Sequence, residues 1–182
     1  MAENLPTAGA VPFQDADPRL HTVFAYWNEK RGVRVMPARA DIDPAELKSV
    51  LPYLMLTDVV DGGVRFRYRL CGTAVAEAFG QELTGRYVDE VMTGRYREFI
   101  EGLYRDVVAQ KRPVYSISSY GGWRRAQMWT QRLMMPLSSD GENVDIVLSI
   151  QVFLHGSPLK TLTVRLAQDH DEPIDNLSAK LD

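Results

Sequence analysis

Apolar residues return at helical spacing from residue 18 to residue 32. Leu20, Val23, Phe24 and Trp27 share one face, while His21, Glu29 and Lys30 turn away from it. Asp17 can cap this helix and Pro18 suits its first position, so the pattern predicts an amphipathic helix ending near Gly32. Residues 40–51 predict a second, short helix: Asp43 is its N-cap, Pro44 its first residue, and Glu46 follows three positions after the cap. Pro52 closes it, and the period then changes. Residues 53–60 are almost continuously apolar, and Asp61-Gly62-Gly63 is a strong turn signal. Residues 64–70 alternate strictly, with Val64, Phe66, Tyr68 and Leu70 on one face and Arg65, Arg67 and Arg69 on the other. This is the pattern of a hairpin.

The middle of the chain is helical again. Val75, Ala76, Ala78 and Phe79 mark a short helix ending at Gly80, and a polar link leads to Tyr87, Val88 and Val91. Over residues 94–111, Tyr96, Phe99, Leu103, Val107 and Val108 recur at the spacing of the longest helix. Pro113 restores a period of two. Residues 114–120, 125–137 and 144–154 predict three strands, and their short connections make them antiparallel neighbours. The last strand has Ile146, Leu148, Ile150, Val152 and Leu154 on its inner face. The resulting division is a flexible leader (1–17), an N-terminal helical cap (18–52), a core (53–156) and a polar, acidic C-terminal tail (157–182). Weak apolar spacing at Leu159, Leu162, Val164 and Leu166 allows the tail one helix or strand.

Composition narrows the function. With 182 residues, 45% hydrophobic and 25% charged, the chain has the make-up of one soluble globular domain. Cys71 is the single cysteine, which excludes a disulfide framework and a Cys-rich metal site. His21, His155 and His170 stand far apart and form no metal-ligand spacing. The net charge of -3 resides in the last 18 residues, so the body is neutral and offers phosphates no excess of positive charge. No signal-peptide pattern is present, and no apolar run approaches the roughly 20 residues that span a bilayer. The expected location is the cytoplasm, with neither nucleic-acid binding nor membrane insertion.

Several blocks together carry a resemblance. They are Tyr26-Trp27, Arg34, the run Pro37-Ala38-Arg39-Ala40-Asp41-Ile42-Asp43-Pro44, Leu51-Pro52, Tyr68-Arg69-Leu70-Cys71-Gly72-Thr73, and Gly80 followed by Leu83-Thr84-Gly85-Arg86-Tyr87. Over residues 19–155 the chain resembles a PAS-domain family typical of alphaproteobacteria. The resemblance implies an α+β PAS fold, a five-stranded antiparallel sheet with helices on one face plus the N-terminal amphipathic helix. It also implies a sensory or interaction module of bacterial signal transduction.

Such a fold encloses a space between the sheet and the long helix. The candidate wall is Phe99 and Leu103 from the helix, Tyr115 and Ile117 from the first late strand, and Trp129, Leu133 and Ile150 beyond it. These side chains either fill a core or line a cavity for a small apolar or mixed-polarity ligand. Cofactors known from other PAS domains leave signatures that this sequence lacks. Cys71 ends a strand outside any flavin-type cysteine block, and residues 94–111 hold no axial histidine, so neither flavin nor haem is expected. The arginine stripe reads as a solvated strand face or as partners of nearby Asp58 and Asp61. Arg69, inside a matching block, is kept as a candidate ligand contact or as a tie to the helical insert. Gly80 to Arg86 lacks the Lys and Ser/Thr of a phosphate loop, and no Ser/His/Asp grouping or metal site is present.

The expected protein is therefore a single-domain PAS sensor or adaptor without catalytic residues. So little chain remains beyond the core that output is expected through a partner such as a histidine kinase. Leu20, Val23, Phe24 and Trp27 are the candidate interface for a homodimer or partner. A ligand-free dimeric scaffold and, further off, an enzyme on a cone-shaped α+β fold are the alternatives. The enzyme reading requires an acid–base pair in the cavity, and the expected wall is apolar.

Overall fold

A computed structural model describes residues 13–121, 127–155 and 176–180. Helix α1 (Pro18–Arg31) starts as its sequence dictates: the Asp17 carboxylate accepts from the Arg19 N–H at 2.9 Å, and Pro18 occupies the first turn. Gly32 ends the helix at a φ of 56°, where a side chain would be strained. Residues 13–15 do not continue a leader but form a 3-10 turn, Phe13–Asp15, whose phenyl ring meets His21, Phe24 and Tyr115.

The helix predicted over residues 40–51 is absent. Three 3-10 turns, Arg39–Asp41, Pro44–Leu47 and Leu51–Tyr53, take its place. Ile42 and Asp43 take extended backbone between the first two turns and so interrupt a helical run, and Pro52 lacks the amide donor that would continue one. Tertiary contacts hold it instead. Ile42, Leu47 and Val50 are buried, and the Tyr26 hydroxyl accepts from the Asp43 N–H at 2.8 Å. Asp43 still caps locally, accepting from the Ala45 N–H at 2.8 Å.

The remaining elements follow the predicted order: β1 (Leu54–Val60), β2 (Arg65–Cys71), α2 (Thr73–Phe79), α3 (Val88–Val91), α4 (Gly94–Gln110), β3 (Val114–Gly121), β4 (Gln127–Leu137) and β5 (Ile146–His155). A further strand, β6 (Asn176–Lys180), forms within the stretch read as a tail. The sheet runs β2-β1-β5-β4-β3-β6 with every neighbouring pair antiparallel, so β6 extends the expected five strands by pairing with β3. The weak apolar spacing at Leu159–Leu166 lies outside the described residues. Among those described, no helix is long and apolar enough to cross a membrane.

Register explains one departure from strict alternation. Leu56 pairs with Leu70 and Thr57 with Tyr68, which leaves Arg69 as an extra residue in β2. The bulge reverses the face presented beyond it. Phe66 and Tyr68 point into the protein, whereas Leu70 is 44% exposed. Val64, expected on the inner face, precedes the strand and is also exposed.

The pleat separates two layers. Leu54, Ile150, Leu133 and Tyr115 pair in turn across four strands, and this outer face lies under α1. Leu20, Val23 and Trp27 are buried against it. The Trp27 indole donates to the Pro136 carbonyl at 2.9 Å, and the Asp17 N–H donates to Gln131 Oε1 at 2.7 Å. Helices α2 to α4 cover the opposite, inner face, where the Phe66 and Tyr104 rings stack at 4.8 Å. Gly72 makes the close passage from β2 to α2 possible, since a Cβ there would lie 2.3 Å from the Pro52 carbonyl oxygen.

Gly72→Ala sets a methyl against rigid backbone and should lower unfolding free energy by about 2–3 kcal/mol in a urea titration. Trp27→Ala removes the central α1 anchor and its hydrogen bond, with an expected loss of about 3–5 kcal/mol on the same assay. A loss below about 1 kcal/mol would mean that α1 does not depend on this contact.

Candidate binding site on the inner face of the sheet

Strand pairing brings polar side chains together on the face toward α4. Gln151 of β5 stands opposite Arg132 of β4, which stands opposite Ser116 of β3. The next row is Phe153, Thr130 and Ser118. Arg132, Gln151, Ser116, Ser118 and Thr130 are all buried, with Arg132 only 2% exposed. Tyr96, in the first turn of α4, reaches down to the guanidinium, and the Arg132 Nη2 group lies 3.1 Å from its hydroxyl and 3.4 Å from Gln151 Oε1. The Nη1 group lies 3.5 Å from Ser116 Oγ and 3.4 Å from Ser118 Oγ.

All four partners are neutral, and most of the contacts lie at the long end of the hydrogen-bond range. Among the described residues no carboxylate pairs with Arg132. A buried guanidinium keeps its charge, and leaving it without a counter-charge costs several kcal/mol. The other polar groups of this face are tightly held or left over. The Thr57 and Tyr104 hydroxyls are 2.9 Å apart, and the Gln151 amide donates to Met55 Sδ. Ser149, between them on the same face, is fully buried, and its hydroxyl lies close to that of Tyr104 without a hydrogen bond of ordinary geometry. Burial pushes the Tyr104 hydroxyl up to about 12 and Tyr68 well above its ordinary value, so both remain neutral phenols. Phe79, Phe99 and Phe153 are half-buried beside this cluster, with Phe79 and Phe153 edge to face at 6.4 Å and Phe99 6.4 Å from Tyr96.

The residues singled out from sequence fall on two sides of the sheet. Leu103 is buried on α4 and Phe99 flanks Tyr96, so both face the inner side. Tyr115, Ile117, Trp129, Leu133 and Ile150 alternate with the polar inner residues and lie on the outer face, toward α1. Their apolar side chains are buried in the outer layer, away from α4. Arg69 is in the bulge, paired with buried Asp58, which also takes Arg67 at 2.8 Å. It does not reach the inner face. Arg65 is the residue that ties the hairpin to the helical insert, through Asp89 at 2.7 Å and a stacked Tyr87 ring at 3.7 Å. Leu20, Val23 and Trp27, the expected interface, are covered by their own sheet. Phe24 is half-buried in a cleft of about 240 Å³ also lined by Arg31 and Lys111.

Arg132, Tyr96, Ser116, Ser118, Ser149 and Gln151 are not among the site residues singled out from sequence, where Ser116 and Ser118 read as strand-edge residues and Tyr96 as part of the helix face. A signal was present: Ser116/Ser118, Thr130/Arg132 and Ser149/Gln151 each place polar residues two apart in strands that are otherwise apolar. Three coincident alternations mark one polar sheet face. Cys71 is half-buried at the end of β2, and burial holds its thiol up at about 11. Among the described residues no cluster of three or more His, Cys, Asp or Glu could hold a metal ion.

The family model described as PAS domain matches residues 16–151. A search of curated proteins finds no match. Similar solved structures include the Rhodobacter sphaeroides LOV protein, at 13% identity and a TM-score of 0.47, covering 65% of this chain and 72% of that one. A variant of the fungal photoreceptor VVD aligns at 12% identity and a TM-score of 0.46, covering 71% and 92%. An RNA-binding Light-Oxygen-Voltage receptor aligns at 16% identity and 0.42, covering 64% of this chain and 35% of that one. With the family model spanning most of its length and the strand order to match, the chain belongs to the PAS domain family.

Proposed function

We propose that this PAS domain is a signalling sensor that takes a small ligand between α4 and the inner face of its sheet and reports occupancy to a protein partner, without catalysing a reaction. The reading places it in the bacterial cytoplasm, where a histidine kinase is the kind of partner it would serve. The observation that carries it is the polarity of the inner face: the outer face is mostly apolar, with the Gln131 amide taken up by α1, while the inner face holds a buried guanidinium, several hydroxyls and an amide. A packed core has no use for such groups, and a ligand does. They are also groups that bind. Among the described side chains the inner rows hold no carboxylate–imidazole pair to move a proton, which supports a sensor over an enzyme.

A route for output lies in β4. Arg132 faces the ligand side, and its neighbour Gln131 faces outward and accepts from the first turn of α1. Occupancy that shifts β4 and β5 therefore acts directly on the docking of α1 and on the surface a partner would meet. A homodimer through Leu20, Val23 and Trp27 would require α1 to leave the sheet.

Native mass spectrometry of freshly purified protein tests the reading. A non-covalent mass that is lost on denaturation is expected, and hydrogen exchange in α1 should change at least twofold when that mass is removed. A spectrum of bare polypeptide, unchanged after incubation with a metabolite extract, would overturn the proposal. Bare polypeptide that is also dimeric would replace it with the scaffold reading.

A further inference from the structure

The chain treats its exposed and buried arginines in opposite ways. Arg19, Arg34, Arg65, Arg67, Arg69, Arg97 and Arg105 each have a carboxylate within an ion-pair distance, although their side chains are 36–53% exposed. Water could solvate those charges unaided. Arg132 is shielded from water and has only neutral partners among the described residues. On the same face, Ser149 Oγ is buried and makes no hydrogen bond of ordinary geometry. Among the described residues the interior thus holds a positive charge with no paired carboxylate beside an under-used hydroxyl.

We infer that the ligand is a small organic monocarboxylate, held through its carboxylate by Arg132 with Ser116, Ser118 and Tyr96, its apolar body directed toward Phe153, Phe79 and Phe99. The inference rests on the inner face being the ligand site and adds the chemical class. A planar guanidinium matches a carboxylate in two parallel hydrogen bonds. One buried cation balances one negative charge, whereas a phosphate dianion or a dicarboxylate would leave a net charge in a medium that solvates it poorly. The serine and tyrosine hydroxyls, now acceptors from Arg132, can rotate to donate to an anion. Half-buried phenyl rings beside the cluster suit an apolar substituent, and Ser149 offers a further polar contact.

The test compares butyrate, benzoate and phenylacetate with the corresponding amides, and with inorganic phosphate, on the full chain. Calorimetry and thermal melting should show saturable binding and stabilisation by at least one acid, with its amide and phosphate inactive. Arg132→Gln should weaken the acid roughly tenfold to a hundredfold while far-UV circular dichroism stays unchanged. The acid–amide comparison needs no variant, so it stands even if Arg132→Gln fails to fold. Ser118→Ala, which leaves the charge in place, should weaken the acid only a few-fold. Equal binding of acid and amide, retention of full affinity in Arg132→Gln, or no binding by any of the three acids overturns the inference. A neutral molecule found as the bound mass in the native spectrum also overturns it while leaving the sensor reading intact. Bare polypeptide with no response to any probe removes both.

Discussion

The arrangement depends on the pleat of β4. Consecutive residues of a strand point to opposite faces, so Gln131 and Arg132 cannot serve the same layer. Gln131 accepts from the start of α1, and Arg132 meets Tyr96 of α4. Pairing with β5 on one side and β3 on the other repeats that division across the sheet, giving an apolar row (Tyr115, Leu133, Ile150, Leu54) and a polar row (Ser116, Arg132, Gln151) next to it. A register shift of one residue would exchange the two faces and place a guanidinium under α1. The apolar row resists that shift, and so it also holds the polar row in place.

Stability and binding are thereby assigned to different sides of one sheet. The outer side is closed by α1, with Leu20 and Val23 inaccessible and the Trp27 indole satisfied by Pro136. Each such side chain contributes on the order of 1.5–3 kcal/mol by leaving water. The inner side buries a charge with neutral neighbours and leaves a serine hydroxyl without a hydrogen bond of ordinary geometry, both of which lower stability. Natural folds retain such features where function needs them. The ion pairs follow the same division: Asp58 with Arg67 and Arg69, and Arg65 with Asp89, lie toward solvent and fix the hairpin rather than equip a site.

Much of the fold was legible because local patterns repeat with the period of their element. The α1 stripe, the Asp17 cap, the hairpin turn at Asp61-Gly62-Gly63 and the change of period at Pro113 each rest on a few neighbouring residues. Residues 40–51 carry capping signals that resemble those of an α-helix, while the shape of the segment is set by distant contacts of Ile42, Leu47 and Val50. β6 was unreadable for a related reason. Its five residues, Asn176–Lys180, have no strong alternation and gain strand geometry from the free edge of β3.

The order of elements, the PAS fold, the amphipathic helix before it and the neutral body with its acidic end can all be read from residues near one another in the chain. Which alternating set of each strand faces α1 and which faces α4 is settled by packing in the folded protein. Alternation defines two faces but does not label them. The label comes from what each face packs against, and that depends on where a helix more than 100 positions away comes to rest on β4. For this reason Tyr115, Ile117, Trp129, Leu133 and Ile150, proposed for the pocket, lie on the outer face while Phe99 and Leu103 stay on the inner side, and Arg132, inconspicuous within its strand, stands at the centre of the candidate site.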